Sequence, residues 1–130
     1  MRTREGGNAR KPDVFVVLKD NPGQILEREF LGAADIAIEV ISDKSVYRDR
    51  TTKFDEYEAA GIREYWLIDP RPSRKRADFY RLDETGRYQT VPLGVSQIFR
   101  SAVVTGFWLN TEWLWLEDAN VAEIYQKIVR

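Results

Sequence analysis

The chain of 130 residues contains no cysteine and no histidine. Without cysteine there is no disulfide framework, no thiolate nucleophile and no thiolate-bound zinc. Without histidine every mechanism built on imidazole is excluded, Ser-His-Asp triads and His-ligated metals included. Any metal held by this chain must take oxygen ligands, which points to Mg²⁺, Mn²⁺ or Ca²⁺. Long apolar runs are missing too, so no segment approaches the ~20 apolar residues of a membrane helix and no membrane partner is expected. The opening Met1-Arg2-Thr3-Arg4-Glu5-Gly6-Gly7 has no apolar centre of a secretion signal, and a cytoplasmic location is the expectation. Gly6-Gly7 leads to no Lys-Ser/Thr pair and precedes a strand, so the sequence offers no phosphate-cradling loop and argues against the nucleotide-cofactor folds.

A strong charge of either sign is also absent. The formal net charge of −1 supplies no global basic field for nucleic acid. Two local basic patches exist, Arg48/Arg50/Lys53 and Arg71/Arg74/Lys75/Arg76. A composition of 43% apolar and 32% charged residues belongs to a globular domain with a core, and the length fits one domain over 1–130. Residues 1 to 10, rich in Gly and Arg, are expected to be a flexible lead-in.

Val14 to Leu18 reads as a buried strand followed by the turn cluster Lys19-Asp20-Asn21-Pro22-Gly23. Residues 24 to 31 fit either a short strand or a covering loop. Ile36 to Ile41 is the second clear strand, and Ser42-Asp43-Lys44-Ser45 breaks it. From Arg48 to Ala60 the pattern is helical, with Phe54, Tyr57 and Ala60 on one stripe and Gly61 placed to end the helix in a left-handed conformation. Tyr65 to Asp69 is a third strand, stopped by Pro70 and Pro72. Ala77–Leu82 and Arg87–Val91 flank Asp83-Glu84-Thr85-Gly86 as a hairpin. Short strands rich in Trp and Phe follow over 98–116, and Asn120 caps a C-terminal amphipathic helix carrying Val121, Ile124, Tyr125 and Ile128. The order is α/β of the α+β kind, a mixed sheet with an extra antiparallel hairpin, without the regular alternation of a doubly wound fold.

One residue is out of place in this scheme. Glu39 interrupts the β-branched run Ile36-Ala37-Ile38-Glu39-Val40-Ile41, where an ionised carboxylate costs several kcal/mol (~) unless a cation compensates it. Asp35 shares its face but lies ~13 Å away along the strand, too far to share an ion. Asp13, at the start of the preceding strand, is better placed. An antiparallel register that sets Phe15 opposite Ala37 also sets Asp13 opposite Glu39, with Cβ atoms roughly 4.5–5.5 Å apart. Two carboxylates that close can bracket a hard divalent cation, and Lys53 on the next helix can lean over the same edge. A metal polarising a phosphoryl oxygen and a bound water, with an ammonium beside it, suits phosphodiester hydrolysis.

The residues Pro12-Asp13, Ala34-Asp35-Ile36-Ala37-Ile38-Glu39-Val40-Ile41-Ser42, Lys53, Tyr57 and Ala59 to Pro70 occur in the order seen in the Uma-two family, which the chain resembles from about Gly7 to its C-terminus. The resemblance implies a restriction endonuclease-like fold of the PD-(D/E)xK superfamily, its mixed sheet flanked by helices. It implies a DNA endonuclease with Asp13 and Glu39 binding Mg²⁺ (or Mn²⁺) and Lys53 as the third catalytic residue. The lysine usual two residues after the acid is replaced here by Ile41, and Lys53 stands at the family's helical position. The resemblance also implies a core helix and strand ahead of Pro12, and these are expected to be missing. Because such nucleases cut both strands, a homodimer is expected, with Trp113 and Trp115 or the C-terminal helix face as candidate interfaces.

Plainer readings stand beside these. Glu39 makes sense as a buried acid in a structural ion pair with Lys53 or an Arg, Lys53 as a solvated helix residue, Asp13 as a strand-entry residue, Asp35 as a strand-start hydrogen bonder and Glu64 as a surface residue. The four tryptophans suit core or interface positions, and the Arg71–Arg76 patch suits a solvated loop as well as a phosphate grip. The alternative function is a nuclease fold without catalysis, serving as a binding or oligomerisation module.

Overall fold

The computed structural model describes residues 12–25, 30–42 and 48–115. Five strands form the central sheet in the order β1-β4-β5-β6-β7, where β1 is Val14–Val16, β4 Ile36–Val40, β5 Glu64–Asp69, β6 Arg76–Leu82 and β7 Tyr88–Thr90. The sheet is mixed. β1 runs antiparallel to β4, β4 parallel to β5, and β5, β6 and β7 antiparallel in turn. A parallel neighbour needs a crossover, and the helix α1, Arg48–Ala60, supplies it between β4 and β5. Two further two-stranded sheets pair β2, Gln24–Ile25, with β3, Phe30–Leu31, and β8, Ile98–Arg100, with β9, Trp108–Asn110. A 3₁₀ turn over Thr111–Trp115 follows β9.

The alternation of side chains along each strand sorts the core into two layers. Ala37, Ile41, Tyr65, Leu67 and Tyr88 face α1, where they pack with Tyr57, Ile62 and Phe54. Ile36, Trp66 and Phe79 face the other way and are covered by Phe99, Val103 and Phe107 around the β8–β9 ribbon. Aromatic rings fill this second layer closely: Phe79 stacks on Phe99 with centroids 3.9 Å apart, and Trp66 meets Phe99 edge-on at 5.1 Å. Trp66 is thus a core residue, while Trp108, Trp113 and Trp115 are half-buried.

Several element ends have clear causes. Leu18 donates its N–H to the Asp35 carboxylate at 2.7 Å, so β1 leaves the ladder after Val16 although the apolar run continues to Leu18. Asp35 also accepts from the Asn21 side chain at 2.9 Å, and it is the hydrogen bonder that ties the turn after β1 to the start of β4. Gly61, at φ +80°, ends α1: its N–H reaches the Glu58 carbonyl and the Ile62 N–H reaches the Tyr57 carbonyl, both at 3.1 Å. This pair of bonds is the Schellman closure, and only a residue tolerant of the left-handed region makes it without strain. The hairpin turn between β6 and β7 is organised by Asp83, which accepts from Thr85 and Arg87 N–H groups.

The stretch 24–31, open in the sequence between strand and loop, holds the ends of a small antiparallel pair. Glu64 corrects the sequence expectation. It is fully buried rather than exposed, because β5 is a central strand whose first residue faces the β8–β9 layer. The expected cap at 42–45 and the C-terminal helix beyond Asn120 lie largely or wholly outside the described residues.

Candidate active site

The β1–β4 register pairs Val14 with Ile38, Phe15 with Ala37 and Val16 with Ile36. Continued by one residue, it sets Asp13 opposite Glu39 on the face that carries α1, as the pattern of apolar residues requires. Pro12 explains why Asp13 sits there. Continued once more, the register would bring Val40 opposite Pro12, where the ladder ends; the Val40 N–H is instead taken by the Asp13 carboxylate at 2.7 Å. One Asp13 oxygen is thereby fixed to the backbone of the residue next to Glu39. The side chain remains exposed to solvent.

Glu39 is only 5% exposed. Two α1 residues reach it. The Tyr57 hydroxyl donates to Oε1 at 2.7 Å and Lys53 Nζ to Oε2 at 3.3 Å. Their i, i+4 spacing places both on one flank of the helix, so a single helix orientation delivers two donors to one carboxylate. Lys53 keeps 23% of its side chain exposed, whereas Tyr57 is 1% exposed and packs edge-on against Tyr65 at 5.3 Å. The sequence singles out Lys53 for this position; the donor role of Tyr57 emerges from the structure, although its place four residues after Lys53 was a usable signal.

Burial pushes the Glu39 carboxyl above the ordinary carboxylate range. The Tyr57 hydrogen bond and the Lys53 charge pull it back down, and the charge of Asp13 adds to the upward push. Glu39 is therefore an anion held at a disadvantage, with a second anion beside it. A divalent cation would relieve both effects, and a carboxylate has acceptor positions beyond the single donor on each oxygen. The donor set is all oxygen. Among the described residues no group of three or more acidic, histidine or cysteine side chains gathers. A pair of carboxylates suits Mg²⁺ or Mn²⁺, since Mg²⁺ is commonly bound through one or two carboxylates with water and substrate phosphate completing its shell.

The same face carries a second acidic pair one and two strands further on. Leu67 separates Glu39 from Asp78 across β5, and Asp69 lies opposite Arg76. Asp69, 7% exposed, is held by both the backbone and the guanidinium of Arg71, and Asp78 accepts from Arg76 Nε at 2.9 Å. These acids have cationic partners of their own and are not joined to Asp13 and Glu39.

Among the described residues, a mixed five-stranded sheet with one crossover helix and with carboxylates at the paired ends of β1 and β4 makes up a restriction endonuclease-like fold. Comparison with protein families carries this further: the model of the Uma2 family, described as "Putative restriction endonuclease", matches residues 1–112. The chain belongs to that family. No curated protein matches the sequence. No described helix is long and apolar enough to cross a membrane.

Proposed function

We propose that the protein is a divalent-metal-dependent DNA endonuclease, with Asp13 and Glu39 holding Mg²⁺ or Mn²⁺ and Lys53 as the third catalytic residue. The observation that carries this reading is the convergence of Asp13, Glu39 and Lys53 on one sheet edge in a chain of a restriction endonuclease family. When bound, the metal supplies Lewis-acid polarisation of the phosphoryl group and a water of lowered pKa. The chain's own residues do the rest. Asp13 is oriented by the Val40 N–H, and Glu39 by Tyr57 from within the core. Lys53, on the solvent side, has the reach to exchange Glu39 for a substrate phosphate or the attacking water, where its ammonium favours developing negative charge. Cutting both strands of a duplex calls for two such sites, and a homodimer supplies them.

Calorimetric titration with Mn²⁺ tests the site directly. Wild type binds, and Asp13→Ala and Glu39→Ala each abolish binding and the nicking of supercoiled plasmid. A folded wild type that takes up no Mn²⁺ would overturn the reading. It would favour the second one, a nuclease fold without catalysis, which the Lys53–Glu39 ion pair supports because it gives the buried acid a cationic partner without a metal.

Tyr57 acts here as a positioning residue. Tyr57→Phe keeps the ring in the core and removes one donor from Glu39, so Mn²⁺ affinity is expected to fall by about tenfold, the lower end for a supporting partner of a ligand. Thermal melting should move by no more than a lost hydrogen bond, about 1 kcal/mol. Unchanged Mn²⁺ affinity in a folded Tyr57→Phe would remove Tyr57 from this role.

A further inference from the structure

The basic run at Arg71–Arg76 is divided in two by the structure. Arg71 is a brace. Its N–H, Nε and Nη2 reach the buried Asp69 carboxylate at 3.1, 2.9 and 2.8 Å, and only 16% of its side chain is exposed. The Arg74 N–H closes a turn onto the Arg71 carbonyl at 2.9 Å, and Pro70 and Pro72 fix the chain on either side of Arg71. The loop between β5 and β6 is thus ordered from within. Arg74 and Lys75 are exposed and make no ion pair among the described residues, and Arg76 is 73% exposed beyond its single contact with Asp78. The need to balance Asp69 accounts for Arg71 alone. Arg74 and Lys75 remain on a loop that is already ordered, and Arg76, at the start of β6, holds Asp78 through Nε with its side chain still largely exposed.

Register places them beside the candidate active site. Glu39, Leu67 and Asp78 form one row across β4, β5 and β6, and Arg76 lies two residues past Asp78 on the same face. Two strand spacings and two residues along β6 put Arg76 roughly 12 Å from Glu39, a few nucleotide steps along a DNA strand at about 3.4 Å rise each. We infer that Arg74, Lys75 and Arg76 grip phosphates of the DNA strand next to the one held at Glu39. This inference rests on the nuclease reading for the identity of the polyanion. Arginine forks match phosphate oxygens in pairs, and a loop ordered beforehand loses little entropy on binding. It also gives a chain with net charge −1 a local group of cations beside the site for a polyanion to meet.

The test is fluorescence anisotropy of a labelled DNA duplex with wild type and the triple variant Arg74→Ala/Lys75→Ala/Arg76→Ala, in EDTA and over a range of salt. Each lost phosphate contact lowers the salt slope by about 0.9, so between about 50 and 200 mM salt the variant's affinity should fall about 40-fold less than that of wild type. The variant should also bind more weakly throughout, while its Mn²⁺ titration stays as in wild type and its melting temperature moves by no more than the loss of the Arg76–Asp78 pair, since Asp69, Arg71, Asp13 and Glu39 are untouched. An unchanged slope, or a wild type without DNA affinity, would overturn the inference. Competition by polyglutamate as strong as that by DNA would overturn it as well and assign the loop to an acidic protein surface. Loss of DNA affinity in the variant alongside a wild type that binds no Mn²⁺ would uphold the loop and remove the catalytic reading, so the two failures are separable.

Discussion

Glu39→Gln is expected to lose more than about a hundredfold in Mn²⁺ affinity, beyond the 10–100-fold typical of losing a supporting partner, while the protein becomes no less stable at neutral pH. Glutamine keeps the shape of glutamate and retains an acceptor for the Tyr57 hydroxyl that now bonds Oε1. The amide group then faces Lys53, whose side chain is 23% exposed and can turn to water. What disappears is a buried negative charge that the native site holds at a disadvantage. Functional groups kept at a cost to stability are a recurrent property of active sites.

The pH dependence gives this prediction its sign. Glu39 has a pKa raised above its ordinary value of 4.5 in the folded protein, so the folded state holds the proton more tightly than the unfolded chain. Its contribution to stability is fully present below the unfolded pKa and is lost as pH rises through the folded one. The glutamine variant has no such loss. Its stability relative to wild type should therefore increase between about pH 4 and pH 7, as read by urea denaturation at the two values. Mn²⁺ reverses the order, because it stabilises only the protein that binds it. A variant that is less stable than wild type at pH 7 without metal, and gains nothing relative to it from acid to neutral pH, would show that Glu39 is chiefly a structural ion-pair partner of Lys53.

Much of this site follows from patterns that act over short distances. Alternation along 36–41 fixes which residues face the helix, and a one-residue slip would expose the whole set, so the apolar pattern specifies the register that brings Asp13 to Glu39. Gly61 and the helical stripe of Phe54 and Tyr57 likewise define the end and inner face of α1. Other features depend on contacts that strand-by-strand reading does not contain. Leu18 leaves the ladder because Asp35, seventeen positions later, captures its N–H. Arg71 and Arg74 look alike in sequence, and only the position of Asp69 at the end of β5 separates a buried brace from an exposed cation. Glu64 departs from the sequence expectation for the same reason: a glutamate at the start of a strand is usually solvated, and its burial is set by the distant segment that closes over it.

Glu64 offers the opposite outcome to Glu39 under the same substitution. It is 0% exposed and all its acceptor capacity is directed at the chain. Oε1 receives Trp66 Nε1 at 3.1 Å and the Ser101 hydroxyl at 2.9 Å; Oε2 receives the Ala102 N–H at 2.8 Å and the Arg81 guanidinium at 3.2 Å. Arg81 passes on to the Arg100 carbonyl at 2.9 Å. One carboxylate therefore ties β5 and β6 to the segment that follows β8 and caps the second core layer. Glu64→Gln turns an oxygen that receives two donors into an amide group that donates, leaving the Ala102 N–H opposed and Arg81 without its counter-charge. Breaking a buried pair by neutralising one partner costs about 3–5 kcal/mol, which for a domain of this size lowers the melting temperature by roughly 10–20 °C. Where the protein remains folded, Mn²⁺ binding should be unchanged, because Glu64 faces the layer opposite Glu39. Urea denaturation with calorimetry on the same sample reads both quantities. A Glu64→Gln protein within about 1 kcal/mol of wild type would mean that the closing segment is held by its aromatic contacts alone, chiefly Phe99 on Phe79 and Trp66. The physical distinction is the direction of the surroundings: around Glu64 each oxygen is taken by two donors of the chain itself, whereas around Glu39 burial and Asp13 outweigh Tyr57 and Lys53, and that imbalance is what a divalent cation can correct.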